Sequence, residues 1–222
     1  MVHLGLLLAM SMNPGKDRAA TARSNVEPAL KVLVKEAGLT YSPAQLFFRA
    51  FKQEKVLQVW GGTSATSPLK LIKQYPILAA SGGLGPKRAV GDGQVPEGWY
   101  FIERFNPLSR FHLSLGLNYP NASDRIFKTN DDPGNDIFIH GSNKSIGCLA
   151  MGDPAIEEIY TLARLARNKV SVLILPAQRK PSTADALWNE IYAINAAFES
   201  SNVLPKVSID KKGHYRVQAP KK

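Results

Sequence analysis

The chain is divided into many short segments rich in β-branched and aromatic residues, and turn-forming residues separate them. Clear examples are LFFRAF at 46–51, VLQVW at 56–60 and KVSVLIL at 169–175. The 17 glycines and 15 prolines are spread over 222 residues and interrupt any longer regular pattern. Short runs bounded by glycine, proline, asparagine and serine are typical of strands. The pattern therefore predicts a β-rich or α+β fold.

Weaker strand signals and three helical patterns occur along the rest of the chain. Pro76 should restrict its strand to an edge or a bulge, because proline cannot donate a hydrogen bond to a ladder. Asp153 is predicted to cap the clearest helix, with Pro154 in its first turn. The predicted strands lie at 71–80, 99–103, 111–117, 136–140, 207–209 and 215–217, and the predicted helices at 26–37, 153–166 and 183–199.

The charge balance and the single cysteine restrict the possible functions. The chain carries 28 lysines and arginines against 18 acidic residues, a net charge of +10. This charge favours an anionic partner without identifying it. No apolar stretch approaches the roughly 20 residues that a membrane span requires. Because Cys148 is the only cysteine, the chain can form no internal disulfide and no zinc site that needs two cysteines.

The organisation predicted from the sequence is a leader, a helix, a main domain and an extension. The apolar run Leu4–Met10 and the small residues Ala20–Ala22 are typical of a signal peptide, although no basic residue precedes the run. The predicted boundaries are 1–25 for the leader, 26–44 for the helix and linker, 45–176 for the main domain and 177–222 for the C-terminal extension.

The segment IHGSNKSIGC at 139–148 contains the parts for cysteine acyl transfer. A predicted strand ends at His140, and Cys148 follows in a turn that contains Gly147. A thiol attacks as the thiolate, and a nearby imidazole can take its proton. Gly147 lets the backbone bend sharply, and the amides of Gly147 and Cys148 could then stabilise an oxyanion. The opposing interpretation is that Cys148 is a small buried apolar residue, the commoner fate of a lone cysteine.

The glycine-rich segment SGGLGPK at 81–87 also has two interpretations. It lacks the spacing of glycine, lysine and serine or threonine that defines a phosphate-binding loop, so we do not expect a nucleotide there. It either lines a groove, with Lys87 facing an anionic substrate, or forms a solvated turn. The predicted chemistry needs neither a metal nor a cofactor.

Several motifs taken together resemble one family. IHG at 139–141 followed by S-x-G-C-x-A-M at 145–151 is similar to the active-site signature of the L,D-transpeptidase catalytic domain (the YkuD-type fold), and most similar to its YafK/DpaA-like branch. The resemblance covers about residues 45–176, which makes 45–176 the expected catalytic domain. Further motifs match in order and spacing at 75–77, 81–87, 91–92, 96–100, 118–125 and 152–160.

The resemblance implies a mostly β fold, a sandwich or capped barrel with a few helices, followed here by a helix and a hairpin in the extension. It also implies activity on peptidoglycan stem peptides, with no cofactor and no metal. Cys148 would be the nucleophile and His140 the base. The other expected site residues fall into two groups: Ser145, Gly147 and Gly141 would shape the turn and the oxyanion site, and Ser81, Lys87, Asn121 and Arg125 would contact substrate.

Two positions depart from the family pattern. Ile146 stands where most members have a second histidine, and this leaves His140 as the base of the motif. Ala150 stands where most members have an arginine, so the cation that would anchor substrate must come from elsewhere. Arg125 is the expected replacement. Both departures are normal for the YafK/DpaA-like branch.

The resemblance leaves the acyl acceptor open. Transfer to an amine gives a crosslink or an attached protein, whereas transfer to water gives an amidase that releases a wall-linked lipoprotein. Either activity implies a location outside the cytoplasm, in the periplasm if the source is Gram-negative. A non-catalytic basic module that binds wall or nucleic acid is a further alternative, although no recognised nucleic-acid motif is present. An activated Cys148 should alkylate well below the pH that a free thiol requires.

Overall fold

The computed structural model of the chain describes residues 18–182 and 185–218. The helices in these residues are α1 (Arg18–Glu36), α2 (Ala122–Ile126), α3 (Asp153–Leu165) and α4 (Ala186–Glu199). The strands are β1 (Gln45–Phe51), β2 (Val56–Gly62), β3 (Lys70–Pro76), β4 (Gly98–Asn106), β5 (Ser114–Leu117), β6 (Phe138–His140), β7 (Leu149–Ala150), β8 (Ser171–Leu175), β9 (Lys206–Ile209) and β10 (Tyr215–Gln218).

One eight-stranded sheet organises the molecule, in the order β3-β2-β1-β8-β4-β5-β6-β7. β1 and β2 form an antiparallel hairpin, and β8 lies parallel to β1. β3 forms one edge and ends at Pro76, a position that suits a residue without an N–H donor. β6 and β7 pair in parallel at the opposite end of the sheet. That end carries the IHGSNKSIGC segment.

The sheet has a hydrophobic core on each face. β1 is buried along its whole length, which explains its nearly continuous apolar sequence. Because side chains alternate across a strand, Phe48 points into a larger core with Leu30 of α1 and Ile159 of α3. Phe47 points into a second core with Phe198 of α4. The C-terminal extension therefore covers the face of the sheet opposite α1 and α3.

Buried polar contacts also join the extension to the rest of the molecule. Trp188 Nε1 donates to Glu97 Oε2 at 2.6 Å. The Tyr215 hydroxyl accepts from Asn121 Nδ2 at 2.8 Å and from the Trp99 amide at 3.3 Å. Each contact links α4 or β10 to the segment around the start of β4 or α2.

The α+β, mostly β prediction is confirmed, and most predicted elements form close to their predicted bounds. Three differences have a local cause. The run at 111–117 is a strand only from Ser114, because a turn precedes it in which His112 has φ 68°. β7 spans two residues, too short to produce an alternating pattern. α1 begins at Arg18 rather than at 26, since its apolar face continues to the fully buried Ala22.

The predicted leader falls largely outside this description. Residues 1–17, and residues 183–184 at the predicted start of the second long helix, lie outside the described residues. Residues 18–25 form the first turns of α1. The four domain boundaries therefore stay predictions. None of the helices within 18–182 and 185–218 is both long and apolar enough to cross a membrane.

Candidate active site

β6 and the turn before β7 carry His140 and Cys148. β6 pairs in parallel with β7, with His140 opposite Ala150 and Ile139 opposite Leu149. Cys148 directly precedes β7, and its Sγ accepts from the amide of Phe138, the first residue of β6. His140 is the last residue of the same strand. The predicted base and the predicted nucleophile therefore lie at the same end of the sheet.

The His140 ring is buried and has a fixed tautomer. Its Nδ1 lies 2.6 Å from the Gly141 carbonyl oxygen. A carbonyl oxygen only accepts, so Nδ1 carries the proton and Nε2 of the neutral ring keeps its lone pair. Phe111 stacks on the imidazole with ring centroids 4.6 Å apart. Burial lowers the pKa of His140, and the Gly141 bond opposes this shift. The ring is therefore neutral at pH 7.

The Cys148 sulfur is partly exposed and lies against the backbone of the preceding segment. Sγ accepts from the Phe138 amide at 3.4 Å and lies 3.7 Å from the Asp136 carbonyl oxygen. Burial raises the pKa of the Cys148 thiol, and the Phe138 N–H counteracts part of this effect. Cys148 is thus a protonated thiol at rest. The raised pKa argues against alkylation well below the pH that a free thiol requires, and that expectation stays a prediction for a thiol titration to test.

Two serine hydroxyls hold the turn that precedes Cys148. Ser145 Oγ accepts from the Cys148 amide at 3.1 Å and donates to the Cys148 carbonyl at 2.8 Å. Ser81 Oγ accepts from the Gly147 amide at 2.7 Å and donates to the Gly93 carbonyl at 2.6 Å. The two amides expected to face an oxyanion therefore already have acceptors. Ser81 holds the turn from outside it with its one donor and one of its two acceptor lone pairs, and its contact with substrate stays a prediction.

The structure requires glycine at the two glycine positions of the motif for different reasons. Gly147 has φ +79°, a conformation that side-chain-bearing residues rarely adopt. Gly141 is required by close packing: a Cβ there would lie 2.5 Å from Asp153 Oδ1 and 2.6 Å from the Phe111 carbonyl oxygen. Both positions shape the turn, as the resemblance implies.

Asp153 supports the same turn instead of capping α3. Its Oδ1 accepts from the Ser142 amide at 2.7 Å, and the N-cap position of α3 belongs to Gly152, which has no side chain to offer. The prediction that Asp153 caps the helix is therefore wrong, whereas Pro154 does lie in the first turn. As an acidic residue in that turn, Asp153 still benefits from the positive end of the helix dipole.

Asn121 and Arg125, two predicted substrate contacts, lie at the N-cap and within α2. Asn121 is buried and caps α2: its Oδ1 accepts from the amides of Ser123 and Asp124, and its Nδ2 donates to Trp99 and Tyr215. With these bonds its side chain has no capacity left for a substrate. Arg125 is exposed and lines a separate cavity. The described lining of that cavity comes from 101–103, 118–125 and Ile209, and excludes the Cys148 turn.

Lys87 lies close to the Cys148 turn but is committed to internal bonds. Its Nζ donates to Asp92 Oδ1 at 2.6 Å and to the Ala89 carbonyl at 2.7 Å, and its side chain is 7% exposed. Its charge still acts on the sulfur, since it lowers the pKa of Cys148. The sequence thus identified a nearby cation, but its role is to brace the 81–97 loop.

The sequence did not identify two residues that shape the site. Phe111 covers His140, and Asp153 holds the Ser142 amide. Neither contact leaves a local signal, because each joins segments about ten to thirty residues apart through the tertiary fold. In the part of the chain that the structure describes, no group of three or more histidine, cysteine or acidic side chains could hold a metal ion.

Comparison with known proteins gives a consistent result. The family model of the L,D-transpeptidase catalytic domain (YkuD) matches residues 54–172. The chain is 30% identical over 236 aligned residues to YafK of Escherichia coli (strain K12), with 99% of this chain and 92% of YafK covered. The curated name of YafK assigns it only provisionally to the L,D-transpeptidases.

A solved structure shares the fold. It is the helical cell shape determining protein Pgp2 from Campylobacter jejuni, with a TM-score of 0.50 and 19% identity. The similarity covers 76% of this chain and 64% of the Campylobacter chain, so this chain spans less than two thirds of that protein. At this identity the likeness bears on the fold alone. The family model, which matches more than half of the 222 residues, and the near full-length similarity to YafK show that the chain belongs to the L,D-transpeptidase catalytic domain (YkuD) family.

Proposed function

We propose that this protein transfers acyl groups of peptidoglycan stem peptides through a thioester on Cys148, with His140 as the general base. The observation that supports the proposal is the hydrogen bond from the Phe138 amide to Cys148 Sγ, because it joins the sulfur to the strand that ends at His140. The free Nε2 of a neutral imidazole suits a base. Membership of the L,D-transpeptidase family supports the substrate class.

The neutral state of both groups favours coupled proton transfer and attack. As Cys148 Sγ bonds to the substrate carbonyl carbon, His140 Nε2 takes the thiol proton. The tetrahedral intermediate then collapses and the C–N bond breaks, while the imidazolium gives its proton to the leaving amine. The products of this half-reaction are a thioester on Cys148, a free amine and a neutral His140, so protons and electrons balance.

Stabilisation of the oxyanion requires a change in the turn. The amides of Gly147 and Cys148 are the backbone N–H groups expected to face an oxyanion, but they already donate hydrogen bonds to the hydroxyls of Ser81 and Ser145. These N–H groups serve an oxyanion only when the hydroxyls rotate away or share the hydrogen bond. Preorganised donors of this kind are worth about 10²–10³ in kcat in other acyl-transfer enzymes. We therefore expect Ser81 and Ser145 to control the rate as well as the shape of the turn.

The acceptor in the second half-reaction is an amine or water. Both acceptors attack the same thioester, and His140 removes the proton of either one. Hydrolysis is the second candidate function, because the Cys148 turn is open to water: Ile146, two residues before the cysteine, is 84% exposed. In that case the enzyme is an amidase that releases a wall-linked protein such as a lipoprotein.

The proposed substrate sets the proposed location. Peptidoglycan lies outside the cytoplasm, so we propose that the protein works in the periplasm or another extracytoplasmic compartment. Its partners are then stem peptides and, for the amidase, a lipoprotein joined to them. The net charge of +10 suits an anionic wall polymer, and we propose no nucleic-acid partner.

A trapping experiment tests the proposal directly. The protein is incubated with purified peptidoglycan, with and without attached lipoprotein, quenched in acid and weighed intact. We expect a thioester adduct on the wild-type protein and none on Cys148→Ala. New crosslinks among the products indicate transfer, whereas released protein or shortened stems indicate hydrolysis.

His140 is tested by the neutral, similarly sized His140→Asn. Loss of the base should slow acylation, and part of the rate should return above the pKa of the thiol, where Cys148 ionises without help. Circular dichroism and urea unfolding check that each variant is folded. Turnover by folded Cys148→Ala would refute the mechanism, whereas binding of peptidoglycan without any turnover by the wild-type protein would favour a non-catalytic wall-binding module.

A further inference from the structure

An open cleft of about 560 Å³ lies next to the candidate active site. Phe111 forms part of its wall and also stacks on His140 at 4.6 Å. Phe111 therefore contacts both the cleft and the His140 ring of the candidate active site. Its described lining consists of Leu78, 110–112, 142–143 and 152–154.

Most charged groups of the cleft are committed to internal contacts. His112 Nε2 lies 2.7 Å from Glu157 Oε1. Asp153 Oδ1 accepts from the Ser142 amide at 2.7 Å, and the positive end of α3 favours its charge. Arg110 is the exception among the lining residues described: it is exposed and makes no hydrogen bond or ion pair. The cleft thus presents one uncommitted guanidinium, on the residue next to the Phe111 ring that stacks on His140.

We propose that Arg110 binds a carboxylate of the peptide whose carbonyl reacts at Cys148. This inference rests on the proposed function, and it adds to the candidate active site a position that binds the negative charge of the substrate. A guanidinium is always charged and bonds a carboxylate through two parallel N–H donors, which fixes orientation as well as affinity. Arg110 thereby supplies the cation that Ala150 lacks and that Arg125 is not placed to provide.

The apolar part of the lining supports a peptide rather than a free ion. Phe111 is 45% exposed and Leu78 is 49% exposed, and both face the cleft beside Arg110. An inorganic anion gains nothing from such surface, whereas the aliphatic part of a peptide side chain covers it. Apolar contact beside one charged anchor is the usual composition of a ligand site.

Two carboxylates of a stem peptide could be the ligand: the C-terminal one and a side-chain one. Three synthetic peptides distinguish them, one with both carboxylates free, one amidated at the C-terminus and one amidated at the side chain. Arg110→Gln removes the charge but keeps a polar side chain of similar length. The exposed Arg179→Gln, outside the cleft, is the matched control.

We expect Arg110→Gln to lower kcat/KM for the free peptide about 10- to 100-fold, the loss expected for one charged hydrogen-bonded contact. The wild-type protein should lose the same factor with one amidated peptide, and that peptide identifies the bound carboxylate. Arg110→Gln should lose nothing further with it. Equal losses of Arg110→Gln on all three peptides, or no loss beyond that of Arg179→Gln, would overturn the proposal.

A binding measurement separates this proposal from the chemistry. Calorimetry of the free peptide with Cys148→Ala and with Cys148→Ala/Arg110→Gln needs no turnover. A weaker affinity in the double variant supports the subsite even if the wild-type protein proves inactive, a result that would refute only the proposed function. Equal affinity in the two proteins, together with normal turnover of wild type, would refute the subsite alone.

Discussion

Glu97 provides the sharpest test of how the 81–97 loop, next to the candidate active site, is held in place. Its side chain is 0% exposed and lies 2.9 Å from the Lys52 ammonium, which is 5% exposed. Glu97 Oε1 also accepts from the Gly85 amide at 2.8 Å, and Oε2 accepts from Trp188 Nε1 at 2.6 Å. One carboxylate therefore joins Lys52, which directly follows β1, to the 81–97 loop and to α4. The same loop carries Ser81, which holds the Gly147 amide.

Glu97→Gln should destabilise the fold by about 3–5 kcal/mol, because breaking a buried pair from one side leaves the other charge uncompensated. Gln also offers one acceptor oxygen in place of two, so either Gly85 or Trp188 loses its partner. Burial already lowers the pKa of Lys52 against the attraction of Glu97, and without Glu97 it falls further. With an m-value near 2 kcal/mol/M, the urea midpoint falls by roughly 2 M.

Glu199→Gln is the matched control. Glu199 pairs with Arg49 at the same 2.9 Å but is 56% exposed, so its loss should cost about 0–1 kcal/mol. Lys52→Met/Glu97→Gln removes both charges and should be less destabilised than the sum of its single variants, by about 0.5–3 kcal/mol. Equal midpoints for Glu97→Gln and Glu199→Gln, or additive losses in the double variant, would refute the argument.

Three further predictions concern the turn and the buried carboxyl of α2. Ser81→Ala removes the acceptor of the Gly147 amide, so steady-state kinetics should show kcat reduced with KM little changed; an unchanged kcat would contradict this role. Gly141→Ala forces a Cβ to 2.6 Å from the Phe111 carbonyl, so chemical denaturation should show a loss of about 1–3 kcal/mol, and a neutral result would be inconsistent with this packing. Burial raises the pKa of Asp124 to about 6, so the folded state binds this proton more tightly than the unfolded state. The contribution of this group to the free energy of unfolding is complete below about pH 4 and is lost as the pH rises through 6, a change of up to about 3 kcal/mol. Asp124→Asn should remove this pH dependence from urea unfolding curves. An unchanged pH dependence in Asp124→Asn would refute the assignment.

The strands were predictable because their sequence carries the signal locally. β1 and β8 are continuous apolar runs, as expected for strands buried on both faces. The location of His140 and Cys148 at one end of the sheet was also accessible, since a strand end, glycines and a lone cysteine lie within one short segment. β7, which directly follows Cys148, is too short to be recognised from sequence.

What the sequence could not show about these side chains has one physical reason: their partners come from distant parts of the chain. Asn121 looks like a groove residue in sequence, but Tyr215 and Trp99 take its amide. Arg125 and Arg110 are both single exposed arginines in turn-rich sequence, and only the cavity that each one lines distinguishes them. Composition and spacing do not show which of the two arginines lines the cleft beside Phe111.

The raised pKa of Cys148 has a consequence for how readily its sulfur is oxidised. Peroxide attacks the thiolate, and susceptibility to sulfenic acid formation follows thiolate character and access. Since burial raises the pKa of this thiol, the resting sulfur should react slowly with such oxidants. In the proposed extracytoplasmic location, a high pKa would therefore protect the lone cysteine between the proposed turnovers.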